Sequence, residues 1–226
     1  HADLNHNKLG ITVDLHTKEG QDVVKRLIAT SDAVTENYAV GALKRWGLDY
    51  ESVRAVKPDI VYMSMPGWGA TGPYASHVLF GLQAQTASGV THLWGHADSP
   101  PSLRCGAYYA DYFVGAQSGF MLEAALYHKK MTGQGQYIEI SQVEAQANAL
   151  GVPLLDYFLN NVDQDPVANV RAYASPHGVY PCNGDDRWIT IAVRTQDEWH
   201  ALCKAMGEPA WCHEERFADI FGRLKN

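Results

Sequence analysis

Between residues 11 and 65 two kinds of hydrophobic spacing alternate, and no other feature of the sequence restricts the fold as strongly. ITVDL (11–15) alternates apolar and polar residues and is β-branched, so it reads as a strand. EGQDVVKRLIAT (19–30) sets Val23, Val24, Leu27 and Ile28 at helical spacing. DAVTEN (32–37) reads as a short strand with a polar end. A helix through Leu43 and Trp46 follows and stops at Gly47, a residue suited to a helix C-terminus. YESVRAV (50–56) is a further short helix closed by Pro58, and IVYMSM (60–65) is the next strand. The order β-α-β-α-α-β implies a parallel sheet, because parallel neighbours need a crossover that lays a helix on a face. The expected fold class is therefore α/β, a Rossmann-like parallel sheet with flanking helices.

PGWGATGPY (66–74) is turn chemistry and predicts a loop, with a helix over 78–88 and a second loop at SPPSL (99–103). Residues 112–130 predict a long, mostly buried helix with Phe113, Ala116, Phe120, Ala124 and Tyr127 on its packed face, ended by Gly133. QYIEIS (136–141) reads as a strand, and a helix begins near Val143. After Tyr157 the chain turns polar and irregular. GVYPC and RWITIAV then form two strands around NGDD (183–186), and Thr195 with Glu198 makes a capping box for a helix whose apolar face is Trp199, Leu202, Cys203 and Met206. This predicts a large domain over 1–155, a linker over 156–176, and the start of a small α+β domain over 177–226. Both ends read as cuts through a larger fold.

With 46% hydrophobic and 19% charged residues, the chain can fill a core. Its formal charge is −7, and its basic residues are scattered, so no stripe for nucleic acid appears. No apolar run reaches membrane-spanning length, and no partner of that kind is expected. Cys105, Cys182, Cys203 and Cys212 lie far apart and read as free thiols of a reducing, cytoplasmic compartment. His92 and His96 lie close in sequence, with no carboxylate near them, and no metal is expected.

Several stretches bear on chemistry. GQGQ (133–136) leaves a helix and enters a strand, the reverse of a nucleotide-binding glycine loop, and reads as a tight turn. GWGATG (67–72) follows a strand, on the side of a sheet where ligands bind, but lacks the third glycine and the lysine of a phosphate loop. TENY (35–38) also ends a strand: Asn37 can hydrogen-bond a base or amide and Tyr38 can stack on a ring, or the pair is a local turn. In GAYYADYFVG (106–115) Asp111 is the only charged residue. Its place ahead of an apolar helix is that of an N-cap. A helix N-terminus also keeps a half-buried carboxylate ionised, as a carboxylate nucleophile requires, and the two readings are compatible. Tyr108, Tyr109 and Tyr112 read as wall residues around it. Neither Ser118 nor Ser141 has the context of a hydrolase nucleophile.

In this order and at these spacings, NHNKLGITVDLHTKEG (5–20), TENYAVGALKRWGLDYESV (35–53), PDIVYMSMPGWGATGPY (58–74), QAQTASG (83–89), GAYYADYFVG (106–115), HKKMTGQGQYIEISQVEA (128–145) and PHGVYPCNGDDRWITIAV (176–193) resemble the class III CoA-transferases, the family of formyl-CoA transferase and carnitine CoA-transferase. The resemblance implies transfer of CoA between an acyl-CoA and a small carboxylic acid, through aspartyl anhydride and aspartyl-CoA thioester intermediates on Asp111. It implies CoA contacts from Val13, Asp14, Leu15 and His16, from Asn37, Tyr38 and Ala39, and from Arg45 to a CoA phosphate. It implies an interlocked homodimer and family chains much longer than this one. Two positions depart from the pattern. Many members carry Lys where His16 stands. Phe80-Gly81 stands where members have an aromatic or His followed by Asp or Glu. The related α-methylacyl-CoA racemases use a His there for proton transfer, which Phe80 cannot perform. A racemase, and a truncated, non-catalytic relative that keeps CoA binding or only the fold, remain the alternatives.

Overall fold

The computed structural model describes residues 4–96, 98, 100 and 108–226. The chain divides into two compact units, His1–Thr91 with Gly106–Asp163, and His92–Cys105 with Gln164–Asn226. In the first unit, α1 (Lys18–Ala29) precedes β1 (Ala33–Glu36), a 3₁₀ turn (Leu43–Trp46), α2 (Tyr50–Val56) and β2 (Val61–Ser64). There follow α3 (Gly81–Ala87), α4 (Val90–Leu93), whose last two residues are assigned to the second unit, α5 (Tyr109–Thr132), β3 (Tyr137–Glu139), α6 (Gln142–Asn148) and α7 (Val152–Asn160). The strands form one sheet in the order β1-β2-β3, parallel throughout. The α/β class with a parallel sheet expected from the alternating spacing is present. Strand β2 is buried at every residue, as a central parallel strand covered on both faces should be. Ile28, Leu48, Val53, Ile60 and Tyr62 form the core on one side of the sheet, and Met63, Val114 and Ile140 pack together on the other.

Residues 11–15 do not form the expected strand: their main chain joins no ladder among the described residues. Alternation identifies a segment able to pair, but a strand needs a sheet edge to pair with, and here only Leu15 packs on the core. On α1, Val24 and Ile28 pack inward while Val23 and Leu27 stay exposed. The larger correction concerns α5. It is a long helix ended by left-handed Gly133, but its buried residues are Ala110, Val114, Ser118 and Ala125. Phe120 and Tyr127, expected inside, are exposed. Apolar residues are spread all round the helix among the polar ones, so periodicity could not name the packed face, and small residues won it because α3 and α6 both pack against this helix.

In the second unit, β4 (His177–Pro181) and β5 (Trp188–Ala192) make an antiparallel hairpin. Thr195 caps α8 (Gln196–Ala205) as its sequence predicts, accepting from the Glu198 N–H while Glu198 accepts from Thr195 N–H. Trp199 and Cys203 pack with Val193 and Cys212, and α9 (Ile220–Lys225) follows. The expected lack of a carboxylate near His92 does not hold: Asp165 Oδ1 lies 3.9 Å from its Nε2. Among the described residues no helix is long and apolar enough to cross a membrane. The loop expected at 99–103 falls outside the described residues, apart from Pro100.

Candidate active site

A cleft of about 380 Å³ opens at the carboxyl ends of β1 and β2 in the first unit. One wall is Asn37, Tyr38, Ala39 and Val40, the turn that leaves β1. Pro66, Gly67 and Trp68, which leave β2, form the second. The third comes from 77–81 and Asp111, with Gln142 of α6 between them. Open α/β sheets present the loops after successive strands at this edge, so residues far apart in sequence converge here.

Asp111 is not an N-cap. Tyr108 takes that position, and the carboxylate stands in the first turn of the 24-residue α5. A first-turn position still puts a carboxylate at the end of the helix that favours negative charge. The residue is exposed rather than half-buried, and no tyrosine from 108, 109 or 112 lines the cleft; Tyr109 instead stacks on Phe113. What the carboxylate packs against is Gly81, the first residue of α3. A Cβ on residue 81 would lie 2.5 Å from Oδ1 and 2.7 Å from Oδ2 of Asp111. Gly67 is crowded in the same way, its missing Cβ falling 2.6 Å from Leu79 Cδ2. Two glycines thus let the walls close to the distances observed.

Asn37, Tyr38 and Ala39 therefore share the cleft with Asp111, while Val13, Asp14, Leu15, His16 and Arg45 do not line it. Arg45 lies with its guanidinium carbon 5.9 Å above the Trp46 ring. Trp46 in turn meets His16 edge-on at 5.8 Å and Tyr38 at 6.5 Å. Those four side chains form one aromatic and cationic surface, exposed except at the half-buried Trp46, that reaches the cleft through Tyr38. The segment 13–16 is fixed to α1: Thr17 Oγ1 donates to Asp14 O at 2.9 Å and Gln21 Nε2 to Leu15 O at 3.0 Å. Gly20 permits this, since a Cβ there would meet Asp14 O at 1.9 Å.

Sequence reasoning passed over Gln142 as part of the site and met Gly81 only as a departure from the family's pattern. Gln142 Nε2 donates to Met65 O at 2.9 Å, tying α6 to the end of β2. Its only signal was its place one residue after Ser141, the helix N-cap. Among the described residues no group of three His, Cys, Asp or Glu could hold a metal.

The model of CoA-transferase family III matches residues 1–226. The succinate–glutarate CoA-transferase of Agrobacterium fabrum is 34% identical over 97% of this chain and 54% of its own length. The succinyl-CoA–D-citramalate CoA-transferase of Chloroflexus aurantiacus is 32% identical over 95% of this chain and 53% of its own. Among solved structures, a CAIB/BAIF family protein from Brucella suis superposes with a TM-score of 0.86 at 31% identity, over 96% of this chain and 56% of that one. The chain spans about half the length of these relatives.

Proposed function

The chain belongs to CoA-transferase family III, and we propose from that membership that Asp111 is the nucleophile of a CoA transfer between an acyl-CoA and a small carboxylic acid. The observation that carries the reading is the placement of the Asp111 carboxylate: against the bare backbone of Gly81, in a cleft shared with Asn37 and Tyr38. A carboxylate oxygen of Asp111 attacks the thioester carbonyl, the C–S bond breaks, and CoA leaves as thiolate, giving a mixed anhydride. The thiolate then attacks the aspartyl carbonyl, the anhydride C–O bond breaks, and the donor acid departs with one aspartate oxygen. The acceptor carboxylate repeats the sequence in reverse and regenerates Asp111 with one of its own oxygens. No proton is consumed, so the site needs an ionised carboxylate and little water. The CoA contacts proposed are Asn37, Tyr38 and Ala39 in the cleft and His16 and Arg45 on the aromatic surface beside it, with Val13, Asp14 and Leu15 presenting backbone next to them. The small domain from 177 onward, a cytoplasmic setting and a homodimer belong to the same reading. Phe120, Phe158 and Leu159, each 77% exposed, supply apolar faces for association. A solution mass that stays at 24.9 kDa would count against the dimer.

The test is to incubate the protein with succinyl-CoA, the donor that relatives' names indicate, add hydroxylamine and map the adduct by peptide mass spectrometry. Modification at Asp111, absent from Asp111→Asn, is the expected result. Exchange of the acyl α-proton in deuterated water without an adduct would overturn the reading in favour of a racemase. Neither adduct nor exchange, with no thermal shift on adding CoA, would leave a non-catalytic relative.

A further inference from the structure

The cleft has two walls made of loop, and loops that leave strand ends have backbone N–H groups with no ladder partner. Something must satisfy them if the walls are to hold their shape. In strand register, Glu36 of β1 pairs with Ser64 of β2, and Ser64 with Glu139 of β3. The three side chains thus make one polar row across the carboxyl edge of the sheet. Glu36 Oε2 accepts from the Tyr38 N–H at 2.8 Å, and Oε1 accepts from the Ser64 hydroxyl. Glu139 Oε1 accepts from the Ala70 N–H at 2.6 Å. Gly69, at φ +91°, brings that loop down onto the carboxylate, since a Cβ there would lie 3.5 Å from Oε1.

We propose that Glu36 and Glu139 are the positioning residues of this site: Glu36 holds the loop leaving its own strand and ties it to Ser64 of β2, Glu139 of β3 holds the loop leaving β2, and together they set the spacing of the two walls between which CoA lies. Neither touches the reacting atoms. Glu36 fixes the Asn37–Tyr38 wall to β1 and β2, and Glu139, through the Ala70 N–H, fixes to β3 the loop that carries the 66–68 wall. A charged acceptor suits the task because its hydrogen bonds to amides are short and strong. The inference rests on the cleft being the CoA site, but the clamps themselves are measurable without CoA.

The experiment combines amide hydrogen exchange with calorimetric titration of CoA, on the full chain and its variants Glu36→Leu, Glu36→Gln, Glu139→Leu and Glu139→Gln. Glu36→Leu is expected to speed exchange about tenfold at the Tyr38 amide and not at Ala70, and Glu139→Leu to do the converse. Both leucine variants lose about tenfold in CoA affinity while their thermal midpoints stay near that of the parent. The glutamine variants keep protection and affinity, because the side-chain amide oxygen still accepts and the Ser64 hydroxyl can turn to accept from the new NH₂ group. Unchanged exchange at Tyr38 and Ala70 in the leucine variants overturns the clamps. Faster exchange with unchanged CoA affinity overturns their positioning role. If the parent itself binds no CoA, the functional reading falls, and the exchange pattern alone decides whether the clamps exist.

Discussion

A methyl group on residue 81 would collide with both carboxylate oxygens of Asp111, which ties the position of one side chain to the absence of another. Gly81→Ala separates the two roles that glycine could have. Alanine favours helix by about 1 kcal/mol over glycine, so α3 should gain stability or hold it. The displaced carboxylate should cost about tenfold or more in transfer rate, because small misplacements of a reacting group are expensive. Thermal melting and a steady-state assay check the pair, and an alanine variant as active as the parent would contradict the placement of Asp111. Asp111 itself was legible in the sequence, as a lone carboxylate among aromatics ahead of an apolar helix. Gly81 was not, beyond being a departure from the family's pattern. Its partner lies far along the chain, and a glycine needed for contact looks in sequence like a glycine needed for a turn.

At the scale of elements, the strands β1, β2 and β3 and the β4–β5 hairpin were legible because their periodicity and turn residues agree. The packed face of α5 was not, since apolar residues spread all round a helix leave little moment to read. One device holding α5 to the sheet is electrostatic. Near its C-terminal end, Lys129 Nζ sits 3.0 Å from Asp32 Oδ1 and 3.1 Å from Asp59 Oδ2, at the residues that lead into β1 and β2. Hydrogen bonds from Lys57 and then Lys129 hold the Asp59 carboxyl down at about 2. A carboxyl depressed in the folded state stabilises the fold above its unfolded pKa of 3.8 and loses that contribution as pH falls toward 2. Thermal midpoints measured between pH 5 and 2 should therefore drop less steeply in Asp59→Asn than in the parent. Parallel curves would show that the Lys57–Asp59–Lys129 cluster does not contribute.

For the whole molecule, the two units have separate cores, so their opening can be followed separately. Cys203 is buried in the second unit, where desolvation and the neighbouring Cys212 push its thiol up to about 11. Cys182 is exposed on the hairpin side of the same unit. Thiolates are the reactive form, so an alkylating reagent at neutral pH should label Cys182 quickly and Cys203 only as that unit unfolds. Equal labelling rates without denaturant would contradict the second core. The proposed catalysis also belongs to this scale, because in it a complete turnover has donor, CoA, acceptor and Asp111 exchange atoms in sequence. The most direct measurement supplies an acceptor acid with both carboxylate oxygens as oxygen-18, allows transfer from an unlabelled acyl-CoA, and weighs the peptide that contains Asp111. Attack by Asp111 predicts that its carboxylate acquires heavy oxygen with turnover, and that donor acid released in later cycles carries it too. Transfer that leaves the Asp111 peptide at its original mass would contradict the account.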